Sequence, residues 1–201
     1  MFDRAAGALI RPLVQRLARM IAATGVGANQ ITLIGFGLGM LAAALVATGH
    51  YLPAISAILL SRLCDALDGA LARMTQVSDV GGFLDIVLDF VFYASIPLAF
   101  ALANPQQNAL AAAVLLAAFV GTMASFLAFA VIAEKRQLSN LAYPDKSFYF
   151  LGGLTEATET LALFVAMCLW PHHFAALAYS FAALCCITTV TRIRWGWRSF
   201  R

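Results

Sequence analysis

Hydrophobic positions run along this chain in long blocks separated by short polar breaks. No Lys, Arg, Asp or Glu occurs between Arg19 and Arg62, between Asp89 and Glu134, or between Glu159 and Arg192. Each interval exceeds the roughly 20 residues that span a bilayer. Cutting the blocks at turn-forming residues predicts six helices, over about 29–49, 52–73, 81–103, 107–133, 147–170 and 173–193. The breaks at His50 to Pro53, Asn104 to Gln107 and Pro171 to His173 fall on one side of the membrane. The N-terminal segment, the stretch around Arg73 to Val80, the Glu134 to Lys146 loop and the C-terminus fall on the other.

Ahead of these spans, Phe2, Ala6, Leu9, Leu13, Leu17 and Met20 recur at spacings of three and four, with Arg4, Gln15 and Arg19 on the opposite side. That is the pattern of a helix lying in the interface plane, and Pro12 is placed to kink it. The arginines at positions 4, 11, 16 and 19 deny the segment the uninterrupted apolar core of a secretory signal, so it is expected to be retained. The predicted fold class is all-α and integral to the membrane: an N-terminal amphipathic interfacial helix in residues 1–28, then one six-helix transmembrane domain over 29–201.

Composition agrees. The 201 residues are 62% hydrophobic and 11% charged, where soluble domains carry about a quarter charged residues, and the mean hydropathy is +0.85. All 13 basic residues sort to one side of the predicted topology or to the helix portions nearest it. By the positive-inside bias that side is cytoplasmic, so both termini are expected there, in a membrane expected to be the bacterial inner one. Cys64, Cys168, Cys185 and Cys186 lie in apolar stretches without metal-ligand spacing and read as small buried hydrophobes. No nucleic-acid partner is expected.

Asp65, Asp68, Asp85 and Asp89 stand inside the second and third predicted helices, where an ionisable group is costly enough to mark a functional site. Asp65 and Asp68 are spaced i, i+3 and Asp85 and Asp89 i, i+4, so each pair projects from one helix face and the two faces can meet across a cavity. Converging carboxylates repel one another in a low dielectric, and divalent cations relieve that repulsion. Oxygen ligands with no soft donor nearby point to magnesium or manganese, ions commonly shared between carboxylates and substrate phosphates. Gly69 and Ala72 leave room for a bulky substrate at the helix backbone, and Arg73 offers a planar donor fork suited to phosphate. Together these features describe a diphosphate site.

The run Asp65-x2-Asp68-Gly69-x2-Ala72-Arg73-x7-Gly81-x3-Asp85-x3-Asp89 resembles the signature of the CDP-alcohol phosphotransferase family in all eight of its fixed residues. With each residue type used at about 5 to 10%, such a match arises by chance on the order of once in 10⁹ starting points. The resemblance implies that Asp65, Asp68 and Asp85 hold metal ions, two per site, bridging a CDP diphosphate. It implies that Asp89, also near the metals, takes the proton from an acceptor hydroxyl. Gly69, Ala72 and Arg73 would line the CDP portion, Gly81 would permit close packing beside it, and Asn29 and Thr32 match a further family pattern that helps seat the nucleotide. The implied reaction moves a phosphatidyl group from a CDP-linked lipid such as CDP-diacylglycerol to a small alcohol and releases CMP. Glycerol 3-phosphate, serine, inositol or its phosphate and an amino-alcohol all fit the shared chemistry as acceptor, glycerol 3-phosphate being the first choice, and a homodimer is implied by the resemblance alone.

Several residues have plainer readings. Arg62, one turn before Asp65, reads either as a structural counter-ion or as a contact to the acceptor. Asp79 reads as a cap of the third predicted helix rather than a site residue, and His50, His172 and His173 as interfacial groups. Glu156 and Glu159, i, i+3 on the fifth predicted helix, are read as lining the acceptor cavity rather than as a polar helix contact. Lys135, Arg136 and Lys146 enter the same region and join them as acceptor-site candidates. A transporter or ion pathway also uses intramembrane carboxylates, but needs no glycine, alanine and arginine at these fixed spacings.

Overall fold

The computed structural model describes residues 3–136 and 154–201. Among them there is no strand: α1 (Asp3–Ala22), α2 (Ala28–Ala47), α3 (Tyr51–Met74), α4 (Asp79–Ala103), α5 (Pro105–Lys135), α6 (Ala157–Leu169) and α7 (Phe174–Ser199) follow one another, with a 3-10 turn over Pro171–His173. Four segments are long and apolar enough to cross a membrane: α2, α4, α5 and Pro171–Ser199, which contains α7. Large apolar side chains face outward along them, among them Leu33, Ile34, Leu41, Leu98, Leu102, Val120, Val131 and Val190. An apolar exterior of that extent suits lipid rather than water, and the protein is an α-helical integral membrane protein.

The helix predicted over 147–170 begins later than expected: residues 154–156 are not helical and α6 opens at Ala157, while 147–153 lie outside the described residues. The last helix runs on to Ser199, and the expected break over 104–107 shrinks to Asn104, because Pro105 is well suited to a first helical turn. Asn104 accepts from the Gln107 N–H at 3.3 Å. Asp79 is not the cap of α4. Ser78 is, its Oγ accepting from the Gly81 N–H at 3.1 Å, and Asp79 sits in the first turn, where its charge favours the helix dipole.

α1 continues through Pro12 as one helix. Its inward face is Val14 and Ala18, buried with Ile31, Leu67, Ala70 and Leu71, whereas Leu13 and Met20 of the expected apolar stripe point away from the protein. Cys168 and Cys185 are buried as expected, but Cys186 faces outward.

Small residues let α2 lie directly against α3 and α4. A methyl group at Gly35 would stand 2.8 Å from Cys64 Cβ, and one at Gly39 would stand 2.6 Å from Phe92 Cδ2. Close backbone approach through small residues is the usual basis of helix association in lipid. Ser61 on α3, fully buried, fastens the contact by donating to Gly35 O at 2.7 Å. Farther into the bundle, Phe92, Phe100, Phe119, Phe164, Phe174 and Phe181 form a buried aromatic core, with Phe100 and Phe174 stacked at 4.6 Å.

Gly39→Ala is therefore expected to lower the thermal midpoint of the purified protein, because Phe92 is fully buried and overpacking typically costs about 1 to 3 kcal/mol. Gly37→Ala, whose added methyl meets nothing within 4 Å, is expected to leave the midpoint unchanged or raise it slightly. Thermal unfolding of both variants in the same detergent checks the contrast.

Candidate active site

α3 and α4 both pack on α2, and their aspartates face each other across the space between them. One carboxylate oxygen from each of Asp65, Asp85 and Asp89 lies within 4.8 Å of the other two. These residues, with Asp68, Thr32, Gly35, Phe36, Ser61, Arg62 and Leu88, line a narrow cavity of about 10 Å³, room for roughly one water-sized guest. Asp68 stands on the same wall but outside the group of three. It is only 5% exposed, and its Oδ2 is buried with no hydrogen-bond partner among the described residues. A buried, unsatisfied carboxylate oxygen beside three converging carboxylates is a donor set suited to a hard divalent cation.

Arg62 supplies the positive charge that the carboxylates meet within the protein. Its Nη1 donates to Asp89 Oδ1 at 2.6 Å and lies 3.6 Å from Asp65 Oδ1, and its Nη2 donates to Ser61 Oγ at 3.3 Å. The guanidinium lies 4.2 Å from the Phe92 ring centroid, a cation–π placement. Of its two sequence readings, the geometry matches the counter-ion.

The remaining signature residues lie at the ends of α2, α3 and α4. The Arg73 guanidinium folds back over Gly69, where an added methyl would meet Nη1 at 3.4 Å, and is otherwise exposed; Ala72 is half-buried beside it. At Gly81 a methyl would meet Asn29 Oδ1 at 2.9 Å and Ser78 Oγ at 3.1 Å, so the missing side chain brings the starts of α2 and α4 together. Thr32 donates to Ala28 O at 3.1 Å and shares the wall with Asp68.

A second, wider cavity of about 260 Å³ opens beside the first, and Asp89 lines both. Its wall includes Phe90, Tyr93, Phe119, Thr122, Phe126, Thr155, Glu156, Thr160 and Arg192. Glu156 is there as expected, but as the residue capping α6 rather than within a helix, and Glu159 does not line the cavity. Glu159 Oε2 instead accepts from the Glu156 N–H at 3.2 Å, a capping box that explains the i, i+3 spacing locally. Lys135 and Arg136 end α5 on the exposed surface and line neither cavity; Arg136 lies 5.5 Å from the Phe200 ring centroid. Lys146 lies outside the described residues.

Arg192 is the lining residue that sequence reasoning passed over. As the first charge after an apolar run it reads as a span boundary, yet it is turned inward, its Nη1 donating to Thr122 O at 2.9 Å. Nearby, the fully buried Thr188 accepts from the Leu154 N–H at 3.2 Å and lies 3.1 Å from Thr155 Oγ1, pinning the segment that carries Glu156 to α7. Thr188, Thr189 and Thr191 in an otherwise apolar helix are the sequence signal that this face of α7 is polar.

Comparison with known proteins defines the class. Residues 26–191 match the CDP-alcohol phosphatidyltransferase family, and the chain belongs to that family of phosphatidyl-transferring enzymes. It is 52% identical over 201 residues to the inner membrane protein YnjF of Escherichia coli K12, covering all of this chain and 98% of that one. It is 40% identical over 98 residues to the archaetidylinositol phosphate synthase of Pyrococcus horikoshii, covering 46% and 52% of the two chains. Two solved structures share the fold, both of the Mycobacterium tuberculosis phosphatidylinositol phosphate synthase PgsA1. The form with CDP-DAG bound has a TM-score of 0.70 at 19% identity, covering 92% of this chain and 94% of that one. The complex with manganese and citrate has a TM-score of 0.72 at 20% identity, covering 92% and 88%.

If the carboxylates form a cation site, magnesium or manganese will raise the thermal midpoint of the purified wild-type protein. Saturation at a hundred times the dissociation constant corresponds to about 2.7 kcal/mol. Asp65→Asn and Asp85→Asn are expected to remove most of that shift, and an equal shift in both variants would exclude the cluster as the site.

Proposed function

We propose that this chain transfers a phosphatidyl group from a CDP-linked lipid, CDP-diacylglycerol in the first instance, to the hydroxyl of a small alcohol. The observation that carries the proposal is the position of Asp89, which belongs to the carboxylate group and also lines the wider cavity. One carboxylate can thus face both the donor diphosphate and the incoming hydroxyl. The CDP-DAG held by the tuberculosis relative supports the choice of donor, and the family signature supports the reaction type.

In the proposed site Asp65, Asp68, Asp85 and Asp89 hold the metal, magnesium or manganese and two ions by the family pattern; the manganese in the second relative's structure supports this. Bound metal supplies charge neutralisation of the diphosphate. Arg73, beside Gly69 and Ala72, holds the CDP phosphate through its donor fork, with Gly81, Asn29 and Thr32 closing the nucleotide end. Asp89 accepts the proton of the acceptor hydroxyl as that oxygen bonds to the lipid-side phosphorus. The diphosphate P–O bond breaks and CMP departs with the bonding electrons. Arg62 orients Asp89 for this step through the 2.6 Å contact.

The same reading takes residues 1–28 as an interfacial helix and 29–201 as the transmembrane domain, with α2 to α7 as six spans in the bacterial inner membrane. The name of the Escherichia coli relative supports the location. The distribution of basic residues supports cytoplasmic termini and a cytoplasmic active site, and family resemblance supports a homodimer. Glycerol 3-phosphate, the acceptor expected from sequence, is the reference compound for an assay.

Asp89→Asn is expected to lower turnover by about 10² to 10⁴ while weakening cation-induced stabilisation less than Asp65→Asn does. Asp65→Asn and Asp68→Asn are expected to weaken both cation and CDP-lipid binding, and chelator is expected to abolish CMP release by the wild type. CMP release measured against CDP-diacylglycerol decides. Near-normal turnover of Asp89→Asn at saturating metal and acceptor would remove its assignment as base. A reporter fused at the C-terminus should be active only on the cytoplasmic side.

A further inference from the structure

α1 presents three faces, of which the described residues cover one. At roughly 100° per residue, Val14 and Ala18 form a stripe buried against Ile31 of α2 and Leu67, Ala70 and Leu71 of α3. Ile10, Leu13 and Met20 form a second stripe beside it, 45%, 55% and 62% exposed. Arg11, Arg16 and Arg19 are exposed on the remaining face. Arg19 Nε donates to Gln15 O at 3.3 Å, which uses one of the five donors of the guanidinium. No acidic residue occurs in the sequence between Arg4 and Asp65, so α1 offers these arginines no i, i+4 carboxylate partner. An outward apolar stripe bordered by cations matches a leaflet whose headgroups are negative and whose acyl chains begin just beneath them. A soluble anion would match the arginines but not the stripe.

We infer that α1 recognises anionic phospholipid headgroups through Arg11, Arg16 and Arg19, and that this contact steadies the signature stretch of α3. Leu67, Ala70 and Leu71 are spaced i, i+3, i+4 and belong to the same turns as Asp68 and Gly69, so α1 covers the flank of the carboxylate site. Ile31 stands next to Thr32, which lines that site. Val14 and Ala18 therefore carry a restraint from the membrane surface to both helices. Arginine stems lie along apolar surface while their charged heads stay at headgroup level. Each arginine near an anionic leaflet favours the bound state by roughly five-fold. Recognition of lipid by α1 rests on the interfacial placement proposed above and requires no step of the transfer reaction.

The full chain would be placed in nanodiscs of phosphatidylcholine alone or with an equal part of phosphatidylserine, whose negative headgroup has no hydroxyl to act as acceptor. Backbone hydrogen exchange would be followed by mass spectrometry. Phosphatidylserine is expected to slow exchange at least five-fold, the effect of roughly one arginine at an anionic surface, across 10–22 of α1 and across 66–73 of α3. The combined variant Arg11→Gln, Arg16→Gln and Arg19→Gln, which alters exposed side chains alone, is expected to exchange alike in the two lipids. Should it fail to fold, the single substitutions decide, each expected to lose part of the slowing. Equal exchange of the wild type in both lipids, or undiminished slowing in the variants, overturns recognition by these arginines. Slowing confined to α1 overturns the coupling to α3, and slowing by inorganic phosphate in phosphatidylcholine alone overturns the choice of a lipid surface. Leu13→Gln is expected to speed α1 exchange even in phosphatidylcholine. Its failure to do so removes the interfacial placement itself, whereas indifference to lipid charge removes only the recognition of anionic headgroups.

Discussion

The structure depends on holding several carboxylates close together inside a bundle whose outer surface faces lipid. Each carboxylate removed from water carries a desolvation penalty of several kcal/mol, which an opposite charge offsets only at close range and with good geometry. Asp65, Asp85 and Asp89 converge to within 4.8 Å with Asp85 exposed and the other two half-buried, so mutual repulsion is the larger cost, and a cation reaching all three relieves it. Their convergence also demands that α3 and α4 both lie close against α2, the helix on which each of them packs. Gly35 and Gly39 meet that demand, because side chains there would overlap Cys64 and Phe92.

Arg62 connects this packing to the chemistry. Its guanidinium reaches Asp89, approaches Asp65, touches Ser61 Oγ and lies over Phe92, while Ser61 and Phe92 are the groups that meet Gly35 and Gly39. The helix-packing seam and the carboxylate site thus share one set of side chains. A change in α2 that moved Phe92 would displace the arginine that orients Asp89, so packing and turnover are coupled here through named contacts.

Most of the architecture was legible in the sequence, because hydrophobic block length is read directly by the bilayer. Helices stand in the six expected stretches, four of the segments being long and apolar enough to cross a membrane, and Asp65, Asp85 and Asp89 converge from the two aspartate faces while Asp68 lines the same cavity beside them. What was not legible turned on local capping and on partners distant in sequence. Glu156 and Glu159 look like two residues of one helix face, but a helix that starts at Ala157 makes the first a cap and the second its capping-box partner. Ser78 and Asp79 are adjacent capping residues, and only the backbone path decides between them. Lys135 and Arg136 were grouped with the acceptor site by sidedness alone, which fixes a residue's membrane face but not its direction around the helix.

Arg192 shows the same limit from the other direction. A cation closing an apolar run ordinarily reaches outward to the headgroups, and sequence offers little reason to turn this one inward. Its partner lies 70 residues away, at Thr122 O on α5, and that bond requires α5 and α7 to approach closely. Gly121 allows the approach, since a methyl there would meet Thr189 Oγ1 at 3.2 Å. The polar wall of the wider cavity is thus made by the same device as the carboxylate site. A glycine admits a neighbouring helix, and a half-buried arginine next to that contact is held by a hydrogen bond to another helix.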